Sequence, residues 1–333
     1  MKTFGWLLKR EYWEHRGGFL WAQVWTAGLM LLALASLLVI GGVFASHIQG
    51  TITVGVPLNT LTQNMTPQQL SEVGAGLDFS LLMLGIFGQI VLFFAVFFYL
   101  LGGLYDDRKD RSVLFWKSLP ISDIGTVASK VFTAAFTAPV IAFLVTVALQ
   151  IGFLVMLSIF MLLHGVNPIK LIWLAVSPFS LWVKMLVILP ISALWALPTY
   201  GWLLLCSSFA RSRPILWATL PLVLLGWAIT FSGLLQNLAL PSSWYLRNVF
   251  VRLLTSITPV SLFWTENGFD KSAIGQVIDG ANSVKGGDAV LVLNWNLIFS
   301  ALSRPEMWIG VVAGVAMLAA AVYFRRRRIE SLN

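Results

Sequence analysis

Phe19 to Ala45, FLWAQVWTAGLMLLALASLLVIGGVFA, is 27 residues without one charged side chain. As a helix it would measure about 40 Å at 1.5 Å per residue, and a bilayer needs only about 20 apolar residues to be crossed. Five more apolar runs follow, at 79–105, 131–163, 179–210, 214–240 and 307–324. The chain has 333 residues, of which 58% are hydrophobic and 11% charged. Ordinary soluble domains carry about 25% charged residues, so soluble and disordered classes are both excluded. The expected fold is an all-α membrane protein. A short interfacial helix at 1–18 would precede a single domain of six transmembrane helices at 19–333.

The charges fix the expected orientation. With the N-terminus inside, fifteen of the 22 basic residues fall on the inner face. They are Lys2, Lys9, Arg10 and Arg16; Arg108, Lys109, Arg111, Lys117 and Lys130; Arg211 and Arg213; and Arg325 to Arg328. The first outer loop, 46–78, has no Lys or Arg. The last outer segment, 241–306, holds five, but long loops obey the positive-inside rule poorly. Six spans with both termini cytoplasmic satisfy the count. Within 241–306, the stretches 244–264 and 289–302 are apolar enough to touch lipid, and they read as interfacial or re-entrant helices. The single cysteine, Cys206, excludes a disulfide or cysteine metal cluster within the chain. The mixed, charged start followed by a run of spanning length predicts an uncleaved N-terminus.

Two charged segments stand out. Lys2 to Gly18, KTFGWLLKREYWEHRGG, is amphipathic: Phe4, Leu8 and Tyr12 recur every four residues. Lys9, Arg10, Glu11, Trp13, Glu14 and Arg16 supply a charged and aromatic rim suited to the headgroup plane. Such a helix can be a plain anchor, or a lever moved by a cytoplasmic partner. The second segment follows the second span. Asp106, Asp107, Arg108, Lys109, Asp110 and Arg111 balance three carboxylates against three cations, more than a topogenic flank requires. Ser112 to Ile121, SVLFWKSLPI, then places Phe115, Trp116 and Leu119 in a cytoplasmic loop, with Lys117 and Ser118 between them. An aromatic cluster rimmed by charges suits a docking surface, although a short helix lying on the membrane would read the same way. Pro120 ends that stretch, and Ser122 or Asp123 can cap the next helix.

Tyr105 to Lys130, YDDRKDRSVLFWKSLPISDIGTVASK, resembles the cytoplasmic loop of bacterial ABC-2 type transporter permeases, and LLKREYWEHRG resembles their N-terminal start. The six-span layout and the arginine-rich tail extend the resemblance over nearly the whole chain. It implies a bacterial inner-membrane exporter subunit that pairs with a second permease, a homodimer partner or a sister chain, and engages an ATPase subunit. It further implies that Asp106 to Arg111 and Phe115 to Ser122 form the coupling contact with that ATPase. The N-terminal stretch would be the interfacial connecting helix, with outer re-entrant helices between spans five and six. The length of 241–306 departs from the familiar members.

This chain is not expected to be an enzyme or to bind a cofactor itself. No G-x-x-x-x-G-K-[ST] loop occurs, since Lys2, Lys117 and Lys271 precede Ser or Thr without the required glycine. ATP and magnesium would therefore be bound by the partner ATPase. The +8 net charge is accounted for by the inner membrane face, with lipid as the partner and no nucleic acid. Ion-coupled carriers usually place acids or histidines at membrane depth. Here no Asp or Glu falls inside a run, and Lys184 lies near the outer end of the fourth run, where it can snorkel. Gln23, Gln89, Gln150 and Asn237 could line a substrate path or simply bridge helices. Gly310-Val-Val-Ala-Gly314 permits a close helix contact, within the subunit or between subunits. The expected function is an ATP-driven exporter permease. The alternatives are a membrane scaffold or sensor that binds a cytoplasmic partner and, behind it, an ion-coupled carrier.

Overall fold

The computed structural model describes residues 2–49, 65–110, 122–174, 178–237, 241, 243–265, 268–269 and 295–330. These are overwhelmingly helical, and six helices among them are long and apolar enough to cross a membrane. The chain is thus a multi-pass, all-helical membrane protein. Among the described residues the one strand pairing is a two-residue antiparallel ladder, Trp264–Thr265 against Gly268–Phe269.

The N-terminal helix α1 (Lys2–Arg16) does not stop at the Gly17-Gly18 doublet. It continues through a π-helical turn, Gly17–Trp21, into α2 (Ala22–Gln49), the first span. A π turn adds a residue without breaking the hydrogen-bonded ladder, so two glycines that read as a boundary become a local widening. Phe19 within that turn is buried.

The second span, α3 (Pro67–Gly103), begins 12 residues before the apolar run suggested. Thr66 is the reason. Its hydroxyl accepts from the backbone N–H of Gln69 at 3.3 Å, and the Gln69 side chain accepts from the Thr66 N–H at 3.0 Å. This reciprocal capping box satisfies two otherwise orphaned donors, and Pro67 fits the first turn. A short helix α4 (Tyr105–Lys109) follows.

The third span also starts early. Helix α5 (Asp123–Phe132) is capped by Ser122, whose hydroxyl accepts from Gly125 N–H at 3.0 Å. It passes through the π turn Thr133–Thr137 into α6 (Ala138–Leu163). The fourth span, α7 (Pro178–Phe209), carries Pro190 and Pro198 inside it. The fifth, α8 (Pro214–Phe231), is shorter than the apolar run to residue 240. Gly233, at φ +65°, takes the left-handed conformation that ends a helix, and the four-residue α9 (Leu234–Asn237) follows. The last span, α12 (Pro305–Glu330), is not ended by the arginine tetrad but carries it on as helix.

Between α8 and α12, a π-helical turn Leu246–Val251 leads into α10 (Arg252–Thr255), and α11 (Trp295–Ser303) precedes the last span. Tyr245 donates to Leu222 O in α8 at 2.7 Å, and Thr199 of α7 donates to Arg252 O at 2.7 Å. Residues 244–255 therefore pack against the middles of α7 and α8. Of the stretch 289–302, the structure describes only residues from 295 on.

Two groups of buried side chains run along the same spans. One, around Leu100, Ala134, Tyr200 and Leu204, lies toward the arginine-rich end. The other, around Leu81, Leu154, Ile188 and Met307, lies toward the opposite end.

Candidate functional site: a buried charge cluster at the base of the spans

Helix α1 turns Leu7 and Glu11, one helical turn apart, into the protein. Glu11 is fully buried, a costly position for a carboxylate unless its oxygens are answered. Two groups answer it. Lys130 Nζ of α5 lies 3.1 and 3.2 Å from its two oxygens, and the Tyr99 hydroxyl of α3 donates to Oε2 at 2.8 Å. Lys130 itself is 1% exposed, and its ammonium lies 5.8 Å from the centre of the Tyr99 ring. Gly103 makes this reach possible: a Cβ there would meet Lys130 Cδ at 3.2 Å. Burial pushes the Glu11 carboxyl up. Lys130 foremost, with the Tyr99 hydroxyl and Arg10, outweighs that and holds it below the ordinary glutamate value.

The pair continues into a wider cluster. Asp107 of α4 lies 3.9 Å from Lys130, 3.9 Å from Arg10 and 3.6 Å from Arg325 of α12. Arg325 also donates through Nε to Asp123 of α5 at 3.1 Å. Arg325 is 6% exposed, so the first member of the arginine tetrad points inward rather than to a headgroup. Three carboxylates (Glu11, Asp107, Asp123) thus meet Arg10, Lys130 and Arg325, and they join α1, α4, α5 and α12. Mutual satisfaction is what makes such a network tolerable in a low-dielectric setting.

The sequence-predicted residues divide. Asp106, Lys109 and Asp110 are exposed. Asp107 turns into the cluster, and Arg108 turns into the spans. Arg108 donates through Nη2 to the carbonyls of Ser207 and, at 3.1 Å, Ala210 at the end of α7. The Ser207 hydroxyl accepts from the N–H groups of Leu104 and Tyr105, each at 3.0 Å, and secures the α3–α4 junction. Arg111, Phe115, Trp116, Lys117, Ser118, Leu119 and Pro120 lie outside the described residues. In α1, Lys9, Trp13, Glu14 and Arg16 are exposed. Arg10 bonds Glu14 at 2.7 Å. Glu11, grouped by sequence with the interfacial charges, is the buried one.

Among the polar residues of the spans, Gln23 donates to Gly88 O at 3.2 Å. Gln150 donates to Leu81 O at 2.8 Å and accepts from Trp182 at 2.7 Å. Both bridge helices. Gln89 is half-buried, with an Oε1 that has no hydrogen-bond partner among the described residues, and Asn237 is exposed at the end of α9. Lys184 does not snorkel: it is 8% exposed, and Asp78, 9% exposed in the extended start of α3, acts on it electrostatically.

Three residues escaped the sequence reading. Lys130 was counted as a topogenic flank, yet Thr126, Val127 and Lys130 share one buried helix face, a pattern that flags an internal lysine. Tyr99 carried no signal beyond its place in an apolar run. Arg252 stacks on the Trp195 ring at 4.2 Å and donates to Glu306 O at 2.8 Å, halfway along α7. Its signal was a cation in an apolar stretch. No family profile, characterised protein or solved structure matches the chain.

Proposed function

We propose that the chain is the membrane-spanning subunit of an ATP-driven exporter of the ABC-2 type, whose ATPase is a separate polypeptide docked on the loop between the second and third spans. One observation carries the reading: Arg325 holds both flanks of that loop, Asp107 on one side and Asp123 on the other. A displacement of the loop is thereby delivered to α12 through Arg325, and to α1 through Lys130 and Glu11. A loop that served only as a connector has no need of such a brace. The exposed Asp106, Lys109 and Asp110 offer a sign-mixed rim, and Phe115 and Trp116 the apolar anchor. On this reading both termini are cytoplasmic, the membrane is the bacterial inner membrane, and a second permease subunit completes the path. The outer segment, with Arg252 packed at the mid-depth of α7, is re-entrant.

The test is recovery of an ATPase with the full-length chain purified from its native membranes. Phe115→Ala with Trp116→Ala should insert normally and lose the ATPase. Equal recovery with both chains, or no ATPase with the unaltered chain, overturns the assignment.

A second reading has one observation behind it. The buried Lys184 and Asp78 supply titratable groups of the kind an ion-coupled carrier uses. Uptake by the purified chain alone under an ion gradient, abolished by Asp78→Asn, would favour it.

A further inference from the structure

Beside the charge cluster, α5 with the π turn Thr133–Thr137, α7 and α12 leave a groove of about 700 Å³. Its walls are apolar almost throughout. Small side chains keep it open: Ala128, Ala135, Ala193 and Ala319 line it where larger ones would fill it. Along α12 it runs from Val315 to a mouth at Tyr323 and Arg326, with Phe4 beside them, and along α7 it continues from Leu197 to Pro190. Val315 to Arg326 is eleven residues of α12, a rise of about 16 Å. The hydrocarbon of one leaflet is about 15 Å deep, half of a core about 30 Å thick. Along α12 the groove therefore reaches about as deep as one leaflet, and its α7 wall continues beyond that to Pro190.

Charge marks its mouth. Arg326 is 56% exposed and meets Asp123 only at 3.8 Å, and that carboxylate is already bonded to Arg325 at 3.1 Å. The Arg327 guanidinium lies 4.7 Å from the centre of the Tyr323 ring, itself part of the groove wall. Two guanidiniums thus stand where the apolar channel opens at the arginine-rich end. A second copy of this chain would bring an apolar helix, which does not require cations at one end.

From the apolar channel and the charge at its mouth we propose that the groove is a binding site for one anionic phospholipid, its acyl chain between α5, α7 and α12 and its phosphate on Arg326 and Arg327. Naming the leaflet as the cytoplasmic one rests on the orientation proposed above; the site itself does not. Basic pockets between transmembrane helices recognise anionic headgroups by this means.

The test uses the full-length chain, without any ATPase, in phosphatidylcholine bilayers containing a minor fraction of phosphatidylglycerol. Lipids that stay bound on release are counted by native mass spectrometry. The unaltered chain should retain phosphatidylglycerol enriched about fivefold or more over its bulk fraction. Arg326→Gln, an exposed change that leaves thermal unfolding unaltered, should lower that enrichment severalfold while a lipid is still retained. Ala319→Trp should empty the groove. Absence of enrichment in the unaltered chain, or unchanged enrichment in Arg326→Gln, overturns the proposal. So does efficient disulfide cross-linking of two copies through Ala319→Cys, which would assign the face to a dimer contact. Because no ATPase takes part, none of these outcomes bears on the transport reading.

Discussion

Cations join helices at two levels of this protein, and they are answered differently. At the base, Lys130 of α5 and Arg325 of α12 meet carboxylates of α1, α4 and α5, so charge cancels charge. Halfway along α7, Arg252 meets no carboxylate contact within ion-pair distance among the described residues. It is held by the Trp195 ring and the Glu306 carbonyl, and its Nε has no hydrogen-bond partner there. The two levels also differ in what makes room. Gly103 clears space for Lys130, a flexible side chain. At the second level Gly310 lies against the Arg252 guanidinium, and a Cβ on Gly314 would sit 2.6 Å from the Leu197 backbone carbon. The base is an electrostatic joint, and the mid-depth contact is a steric one. An electrostatic joint can be replaced by a matched neutral pair. A steric one cannot, because no partner change restores the missing space.

The largest expected effect tests the first half of that contrast. Lys130→Met leaves Glu11 buried without its main partner and should cost about 3–5 kcal/mol. Adding Glu11→Gln, which keeps an acceptor for Tyr99, should recover most of it; detergent-titrated unfolding of the three chains measures both numbers. The same pair carries a pH signature. Glu11 has a depressed folded-state value, so its contribution is complete above the ordinary glutamate value and is lost as pH falls through the depressed one. Glu11→Gln should therefore flatten the acid limb of a stability-against-pH curve and leave the neutral region parallel.

Gly314→Ala tests the second half. The added methyl meets backbone on α7, and the cost should be about 1–3 kcal/mol, with no recovery from shortening neighbouring side chains. Recovery by such a change would show the contact to be less constrained than the geometry implies. Arg252→Met removes the ring contact and the carbonyl bond while keeping the bulk. A loss of about 2 kcal/mol is expected, the desolvated cation–π range, and a double-mutant cycle with Trp195→Leu isolates it. The smallest effect is at the loop flank: Ser122→Ala should cost about 1 kcal/mol, read as faster amide exchange at Gly125 and Thr126.

The spans were legible because hydropathy is a local property: a bilayer demands length and apolarity, and six runs met both. Their ends were less so. The capping box Thr66–Gln69 and the terminator Gly233 are written in the sequence, yet each lies where hydropathy gives no edge. Arg108 and Asp107 show a different limit. They sit next to Asp106 and Lys109 in one sign-mixed block, and helical geometry turns one pair in and leaves the other pair out. The Glu11–Lys130 pair was beyond reach, since its members stand 119 positions apart and each alone reads as an ordinary membrane-flanking charge.

The sequence by itself determined that the chain carries six runs long and apolar enough to cross a membrane and that most of its basic residues flank them. Both are sums over local composition. Tertiary structure alone decided which charges turn inward, that Gly310 and Gly314 serve contacts within this chain, and that an apolar groove opens beside Arg326. The physical reason is the cost of burying a charge. It is bearable only where partners from distant helices converge, and convergence is a property of the packed spans rather than of any one of them.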